Sequence, residues 1–224
     1  MPAVFVTSTG TEIGKTFVTA GLIRHFRNAG HRVNALKPIV SGFDMDSPAG
    51  SDPAVLLEAL GRPVTPDEIA RISPWRFAAP VAPDLAARRE GRSIDFKALV
   101  DFCQRAMNAK EWLLIEGVGG VMVPLDDRHT VIDWIAALRI PAIVVAGSYL
   151  GTISHTLTAI NVLALRNLET AAIVISETPD SPVSLPDTVS SINRFGDLID
   201  IVTLPRLVPG QTHTAFAKLA EILW

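Results

Sequence analysis

One nine-residue segment, Ser8-Thr9-Gly10-Thr11-Glu12-Ile13-Gly14-Lys15-Thr16, constrains this chain more than any other. It follows a short apolar, β-branched run (residues 3–7). It precedes a stretch (17–29) in which Val18, Leu22 and Phe26 recur at helical spacing and Gly30 sits at the C-terminal cap. A strand that turns through glycine into a helix aims the unpaired amides of the first helical turn, with their partial positive charge, at one point. Phosphate suits such a cradle. Gly14 would admit close backbone approach, Lys15 would reach the β- and γ-phosphates, and Thr16 would offer its hydroxyl to Mg²⁺. The standard pattern has glycine five positions before Gly14; here that residue is Thr9, and Gly10 stands one place late.

The rest of the chain repeats the alternation. Residues 32–36, 112–115, 142–146, 171–175 and 199–203 read as further strands, separated by longer helical stretches. Buried β-branched runs of this kind suit a mainly parallel sheet covered by helices on both faces. The expectation is a single α/β domain of the P-loop type over residues 1–224. Three stretches, 42–52, 73–83 and 178–186, read as irregular, and the first two are long enough to suspect function.

In open α/β sheets, ligands lie beyond the carboxyl ends of the strands. After the second expected strand come Lys37-Pro38 and then Ser41-Gly42, which would put a second cation near the phosphate loop. After the third, Leu113, Leu114 and Ile115 run into Glu116, followed by Gly117-Val118-Gly119-Gly120. An acid at the end of an apolar strand resembles the Walker B arrangement and would bind Mg²⁺ directly or through water. Asp52 is a candidate third ligand. Ser51-Asp52-Pro53 is also good helix-start chemistry, and Asp44 and Asp46 compete for any role in that loop. After the fourth strand, Leu150-Gly151-Thr152-Ile153-Ser154-His155 would open a helix with Ile153, Leu157 and Ile160 on one face. Its free amides suit a carboxylate or phosphate. His155 reads as a structural hydrogen-bonding residue, with a catalytic base as the alternative.

Composition removes other classes. Twenty basic and 23 acidic side chains leave a net charge of −3, without the basic face that broad nucleic-acid binding needs. One cysteine, Cys103, excludes an intramolecular disulfide and a multi-cysteine metal site, and reads as a small buried hydrophobe. No uninterrupted apolar run approaches the ~18 residues of a membrane span. The N-terminus lacks the basic region of a signal peptide, so a cytoplasmic protein with no membrane partner is expected.

Taken in order, these segments resemble the ATP-dependent dethiobiotin synthetases. The resemblance rests on Thr11-Glu12-Ile13-Gly14-Lys15-Thr16, Leu36-Lys37-Pro38 with Ser41-Gly42, and Ser51-Asp52. It continues through Phe77-Ala78-Ala79-Pro80, Glu90-Gly91-Arg92, Glu116 to Gly120 with Pro124-Leu125, and Leu150-Gly151-Thr152 with His155. It implies carboxylation of one amine of 7,8-diaminopelargonate by CO₂ or bicarbonate, phosphorylation of the carbamate by ATP, and ring closure by the other amine. It implies catalytic roles for Lys37, Lys15, Thr11 and Ser41, and Mg²⁺ held by Thr16, Asp52 and Glu116. Nucleotide contacts are implied at Thr11, Glu12, Ile13, Gly14, Lys15, Thr16, Glu116, Gly119, Ser176 and Pro205. Substrate contacts are implied at Ser41, Val118, Leu150, Gly151, Thr152 and Ser154, with the Gly151 and Thr152 amides supplied by the partner subunit of a homodimer.

The chain departs from that family at three places. Ser176-Glu177 stands where the family reads adenine with Asn-Asp, and serine lacks the paired donor and acceptor of an amide, which opens the nucleotide choice. Ser8 replaces the first family glycine of the loop. The family tyrosine near 185–190 has no counterpart, since the only tyrosine is Tyr149. Other readings are a nucleotide switch protein on the same fold, an amide-forming ligase, and the same chemistry on another diamine. Against the switch, residues 8–13 lack an extra lysine and the segment 215–224 is not basic. Against the amide-forming ligase, 224 residues leave no room for a glutamine-hydrolysing domain.

Overall fold

The structure is a computed structural model that describes residues 3–107, 111–196, 199–207, 211 and 213–223. Within these the chain runs β1 (Ala3–Ser8), α1 (Lys15–Asn28), β2 (Val33–Leu36), β3 (Ile39–Ser41), α2 (Asp52–Leu60), α3 (Pro66–Ile72), β4 (Trp75–Phe77), α4 (Pro83–Arg89) and α5 (Phe96–Ala106). It continues through β5 (Trp112–Glu116), α6 (Val131–Leu138), β6 (Ala142–Gly147), α7 (Thr152–Leu165), β7 (Thr170–Ser176), α8 (Leu185–Phe195), β8 (Ile201–Leu204) and α9 (Thr214–Ile222). Of the C-terminal segment 215–224, residue 224 lies outside the described residues.

β1, β5 and β6 are buried along their whole length, as apolar runs covered on both faces must be. They form the middle of a six-stranded parallel sheet of order β2-β5-β1-β6-β7-β8. Helices flank it: α1 packs on β1, β2 and β5 and against α2 and α9, while α7 packs on β6 and β7 and against α8. The expected parallel α/β architecture is therefore the one observed.

Side-chain packing positions the strand ends. Trp134 of α6 is fully buried and meets Phe5 of β1 edge-on, with ring centroids 4.9 Å apart. The Phe5 ring in turn lies where a Cβ on Gly117 would fall, at 2.8 Å, so only glycine lets the chain leave β5 along this path. On the other flank Phe26 of α1 stacks on Trp112 of β5 at 4.5 Å.

The structure adds to the sequence reading in four places. Residues 73–83 are not wholly irregular: β4 pairs in parallel with β3, Ile39 opposite Trp75 and Ser41 opposite Phe77. Three-residue strands are too short to show a period. α1 begins at Lys15 rather than Phe17, because Gly14 takes the left-handed cap (φ 98°) and the helix starts inside the loop. Gly30 follows its C-cap at φ 81°. On α7 the buried stripe is Thr152, Thr156, Ala159, Ile160 and Leu163, while Ile153 and Leu157 are half-buried. Of the two inward threonines, Thr152 donates to the Gly147 carbonyl at 2.6 Å, while the Thr156 hydroxyl is buried without a partner. Cys103 is buried, and burial pushes its thiol up to about 12, which leaves it inert at neutral pH.

Replacing Trp134 with Ala removes the support beneath Phe5 and leaves a large cavity. It should lower unfolding stability by about 3–5 kcal/mol, read as a fall in urea midpoint at unchanged slope.

Candidate active site

From β1 the chain moves to β2 and β5 on one side of the sheet, then crosses to β6, β7 and β8 on the other. Such a reversal opens a crevice at the carboxyl ends of the strands around β1. The phosphate loop fills it. Gly14 and Glu12 are both left-handed there, at φ 98° and 59°. For glutamate that conformation is strained and is held by its surroundings. A Cβ on Gly14 would approach the Ser176 hydroxyl to 2.9 Å, which places the end of β7 directly against the loop. On the opposite side a Cβ on Gly120 would meet the Ser8 carbonyl and Thr9 backbone at 3.2 Å, so the glycine-rich segment after β5 lies flat on the loop.

Between these walls is a cavity of about 700 Å³. It brings together Thr11, Glu12, Ile13, Gly14, Lys15 and Thr16 from the loop, Lys37 and Ser41 from the segment after β2, and Asp52, Val118 and Gly119. Ser41 is positioned by the small β3–β4 sheet, and its hydroxyl is buried without a hydrogen-bond partner. Pro80 to Pro83 complete one wall, together with Val40, Gly42 and Val123. Val40 and Val123 carried no signal beyond their apolar character.

Thr16, Lys37 and Asp52 line the floor, and Glu116, which does not line the cavity itself, is hydrogen-bonded to two of them. Lys37 Nζ donates to Glu116 Oε1 at 2.7 Å and to the Gly117 carbonyl at 2.7 Å, and it pairs with Asp52 Oδ2 at 3.0 Å. The Thr16 hydroxyl lies 2.7 Å from Asp52 Oδ1 and 2.8 Å from Glu116 Oε1. Lys37 and Glu116 are both buried. Burial alone would lower the Lys37 pKa, but Glu116 and Asp52 outweigh it and raise the value above the ordinary lysine range. Burial would likewise raise Asp52, yet Lys37 and the Thr16 hydroxyl hold its carboxyl below the usual carboxylate range. Glu116 Oε2 is buried with no partner. Asp52 is the first residue of α2, and Ser51 is the N-cap, so the carboxylate is free of capping duty. Asp44 accepts from the Asp46 amide at 2.9 Å, and neither lines the cavity.

Lys15 lies folded beneath its loop. Its ammonium donates to the Ser8 hydroxyl at 3.0 Å and to the Gly10 carbonyl at 3.1 Å. Ser8 Oγ also lies 2.9 Å from the Gly119 carbonyl, so this residue ties lysine, loop and glycine-rich segment together. The sequence marks Ser8 only as a departure from glycine. Burial, and then the Lys37 charge, lower the Lys15 pKa to about 8, against the pull of Glu116 and Asp52.

The cavity does not contain every expected residue. Leu150 and Ser154 are exposed at the start of α7, Gly151 is its left-handed cap (φ 100°), and Thr152 is buried. Among the described residues these lie outside the cavity of their own chain. His155 Nδ1 is 2.8 Å from the Tyr149 hydroxyl, a structural contact. Pro205 follows β8, and the Glu177 carboxylate accepts from the Arg206 amide at 2.8 Å, which occupies one of its oxygens.

Lys15 holds a positive charge for phosphate only while protonated. A lysine at about 8 when folded and ~10.4 when unfolded binds fewer protons in the folded state between those values. In that window the cost of burying its charge disappears as pH rises, and so does its attraction for an anion. ADP phosphates are already ionised there, so ADP affinity should fall by up to about tenfold per pH unit above 8. Calorimetry from pH 7 to 10 checks this, and a Lys15→Arg control, charged throughout, should show a flat profile.

Comparison with known proteins agrees with this geometry. A family model described as an AAA domain matches residues 2–209. The ATP-dependent dethiobiotin synthetase BioD of Acidiphilium cryptum is 50% identical over 196 residues, covering 87% of this chain and 88% of its own. That of Methylobacterium nodulans is 51% identical, covering 85% and 87%. That of Caulobacter sp. is 48% identical over 225 residues, covering 100% and 95%. Among solved structures, the cell division ATPase MinD of Pyrococcus furiosus superposes with a TM-score of 0.57 at 14% identity, covering 100% of this chain and 98% of its own. A ParA family ATPase from Chlorobium tepidum gives 0.55 at 13%, covering 100% and 92%. These structural likenesses establish the P-loop fold alone, whereas identity near one half over almost the whole length establishes more: the chain belongs to the ATP-dependent dethiobiotin synthetase family.

Proposed function

We propose that the cavity closes 7,8-diaminopelargonate and CO₂ into the cyclic urea of dethiobiotin, with ATP converted to ADP and phosphate. The observation that carries this reading is the convergence of Lys15, Lys37 and the Thr16–Asp52–Glu116 cluster beneath one phosphate loop. The reaction passes through anions at every stage: carbamate, triphosphate and the mixed carbamic-phosphoric anhydride. A site for it needs positioning and charge neutralisation more than a nucleophile of its own.

The loop amides and Lys15 hold the phosphates. Lys37 faces the carbamate and the phosphoryl group in transfer, and the Thr11 and Ser41 hydroxyls orient the same groups. The unpartnered Ser41 hydroxyl, facing the cavity from a fixed strand, supports that role. Val118 lies in the wall beside the reacting amines.

Asp52, Glu116 and Thr16 form an all-oxygen donor set with one carboxylate oxygen lacking a partner, which suits a hard divalent cation such as Mg²⁺. No group of three or more His, Cys, Asp or Glu side chains placed to hold a metal exists among the described residues. Water and phosphate would therefore complete the shell, as Mg²⁺ prefers. When bound, Mg²⁺ would neutralise phosphate charge.

The Leu150, Gly151, Thr152 and Ser154 segment lies outside the cavity of its own chain, so its role on the substrate carboxylate belongs to a second copy across a homodimer. The half-buried Ile153 and Leu157 beside exposed Leu150 support that assembly. Ser176 and Pro205 border the nucleotide, where the shorter serine side chain favours looser base choice. The reading is of a cytoplasmic enzyme acting on small molecules, as a biosynthetic ligase of this family would be; none of the described helices is long and apolar enough to cross a membrane.

Phosphate release with bicarbonate, Mg²⁺ and ATP should require 7,8-diaminopelargonate. Lys37→Ala should slow it by roughly 10²–10³-fold, the usual loss for one charge-stabilising group. Release of equal rate without the diamine would favour a nucleotide switch instead.

A further inference from the structure

The seat of Lys37 overlaps the place a metal would need. All three ammonium protons of Lys37 have acceptors: Glu116 Oε1 and the Gly117 carbonyl, each at 2.7 Å, and Asp52 Oδ2 at 3.0 Å. The two carboxylates are the ones that would hold the cation. The Thr16 hydroxyl has a single proton and lies within reach of both acids, so it closes the ring. A cation that engages either carboxylate through both oxygens meets Glu116 Oε1 or Asp52 Oδ2, and each already carries the ammonium. A divalent ion and an ammonium cannot share one oxygen at these distances without strong repulsion. Glu116 Oε2, buried and unpartnered, is the one open donor in the ring and gives the cation a point of entry.

We propose that Lys37 is an internal stand-in for the metal. In the metal-free protein its ammonium holds Asp52 and Glu116 together against their mutual repulsion. The arriving cation displaces it from both carboxylates. The released ammonium, still in the wall of the same cavity as Lys15 and Ser41, becomes available to an anionic reactant. Metal loading and arming of Lys37 are then one event. Lys37 would not face the carbamate until the cation that assists phosphoryl transfer is in place. The exchange rests on the Mg²⁺ reading of the Thr16–Asp52–Glu116 cluster.

The chain has five lysines, so selective ¹⁵N-lysine labelling gives a readable ammonium spectrum, with Lys37 assigned by its loss in Lys37→Met. In metal-free wild type, the Lys37 signal should be protected from solvent. Mg²⁺ with ADP should shift it and remove that protection, whereas ADP with EDTA, and Na⁺ at matched pH and ionic strength, should leave it in place. In parallel, Mn²⁺ binding is followed by electron paramagnetic resonance without nucleotide. Lys37→Met should bind Mn²⁺ about tenfold more tightly or better than wild type, because no internal cation competes. Both results together support the exchange. A Lys37 signal that stays in place while Mn²⁺-ADP is bound overturns the exchange and leaves the metal reading standing. Failure of wild type to bind Mn²⁺ even with ADP overturns both. If Lys37→Met does not fold, the wild-type ammonium spectrum decides alone, with Lys37→Arg used for assignment.

Discussion

The structure depends on compensating one buried carboxylate. Glu116 ends the central strand β5 with no solvent exposure. An ionised acid in that position is tolerated only if charge and hydrogen bonds are brought to it. They come from two distant parts of the chain: Thr16 from the start of α1, and Lys37 from just after β2, whose ammonium also donates to the Gly117 carbonyl. Asp52, at the start of α2, balances the lysine in turn. The strand order β2-β5-β1 makes this possible, because it puts the ends of β2 and β1 on either side of Glu116.

The same arrangement explains why so much glycine follows β5. Gly117 passes the Phe5 ring and Gly120 presses on the phosphate loop, each where a Cβ would collide. Ser8 then ties the loop to the Gly119 carbonyl and gives Lys15 its resting acceptor. The phosphate loop, the Asp52 and Glu116 carboxylates and both lysines therefore share one frame set by packing at the strand ends. This is the frame that ATP-dependent dethiobiotin formation requires, since its anionic intermediates must be held and neutralised without loss of alignment.

Much of this was legible in the sequence, for identifiable reasons. Gly14-Lys15-Thr16 between a strand and an amphipathic stretch specifies both an element boundary and a ligand class. Glu116 is marked by the apolar residues before it and the glycines after it. Lys37 is marked by its place at a strand end. What stayed hidden depends on three-dimensional closure. The β3–β4 pair that fixes Ser41 is too short for a period. The role of Ser8 lies in its contacts with residues as distant as Gly119. The inward turn of Thr152 on α7 follows its hydrogen bond to the Gly147 carbonyl, and that of Thr156 follows packing, rather than hydrophobic pattern. The segment 150–154 is recognisable by motif, yet it lies away from the cavity of its own chain.

The central claim is that one buried cluster serves both folding and chemistry. A double-mutant cycle on Lys37→Met and Glu116→Gln, read in unfolding free energy and in dethiobiotin formation, tests it most directly. Lys37→Met leaves the buried Glu116 carboxylate uncompensated and should cost about 3–5 kcal/mol. The double variant removes both charges of the pair and should recover much of that loss while remaining unable to form dethiobiotin. Stability losses that simply add, with activity surviving in either single variant, would contradict the account.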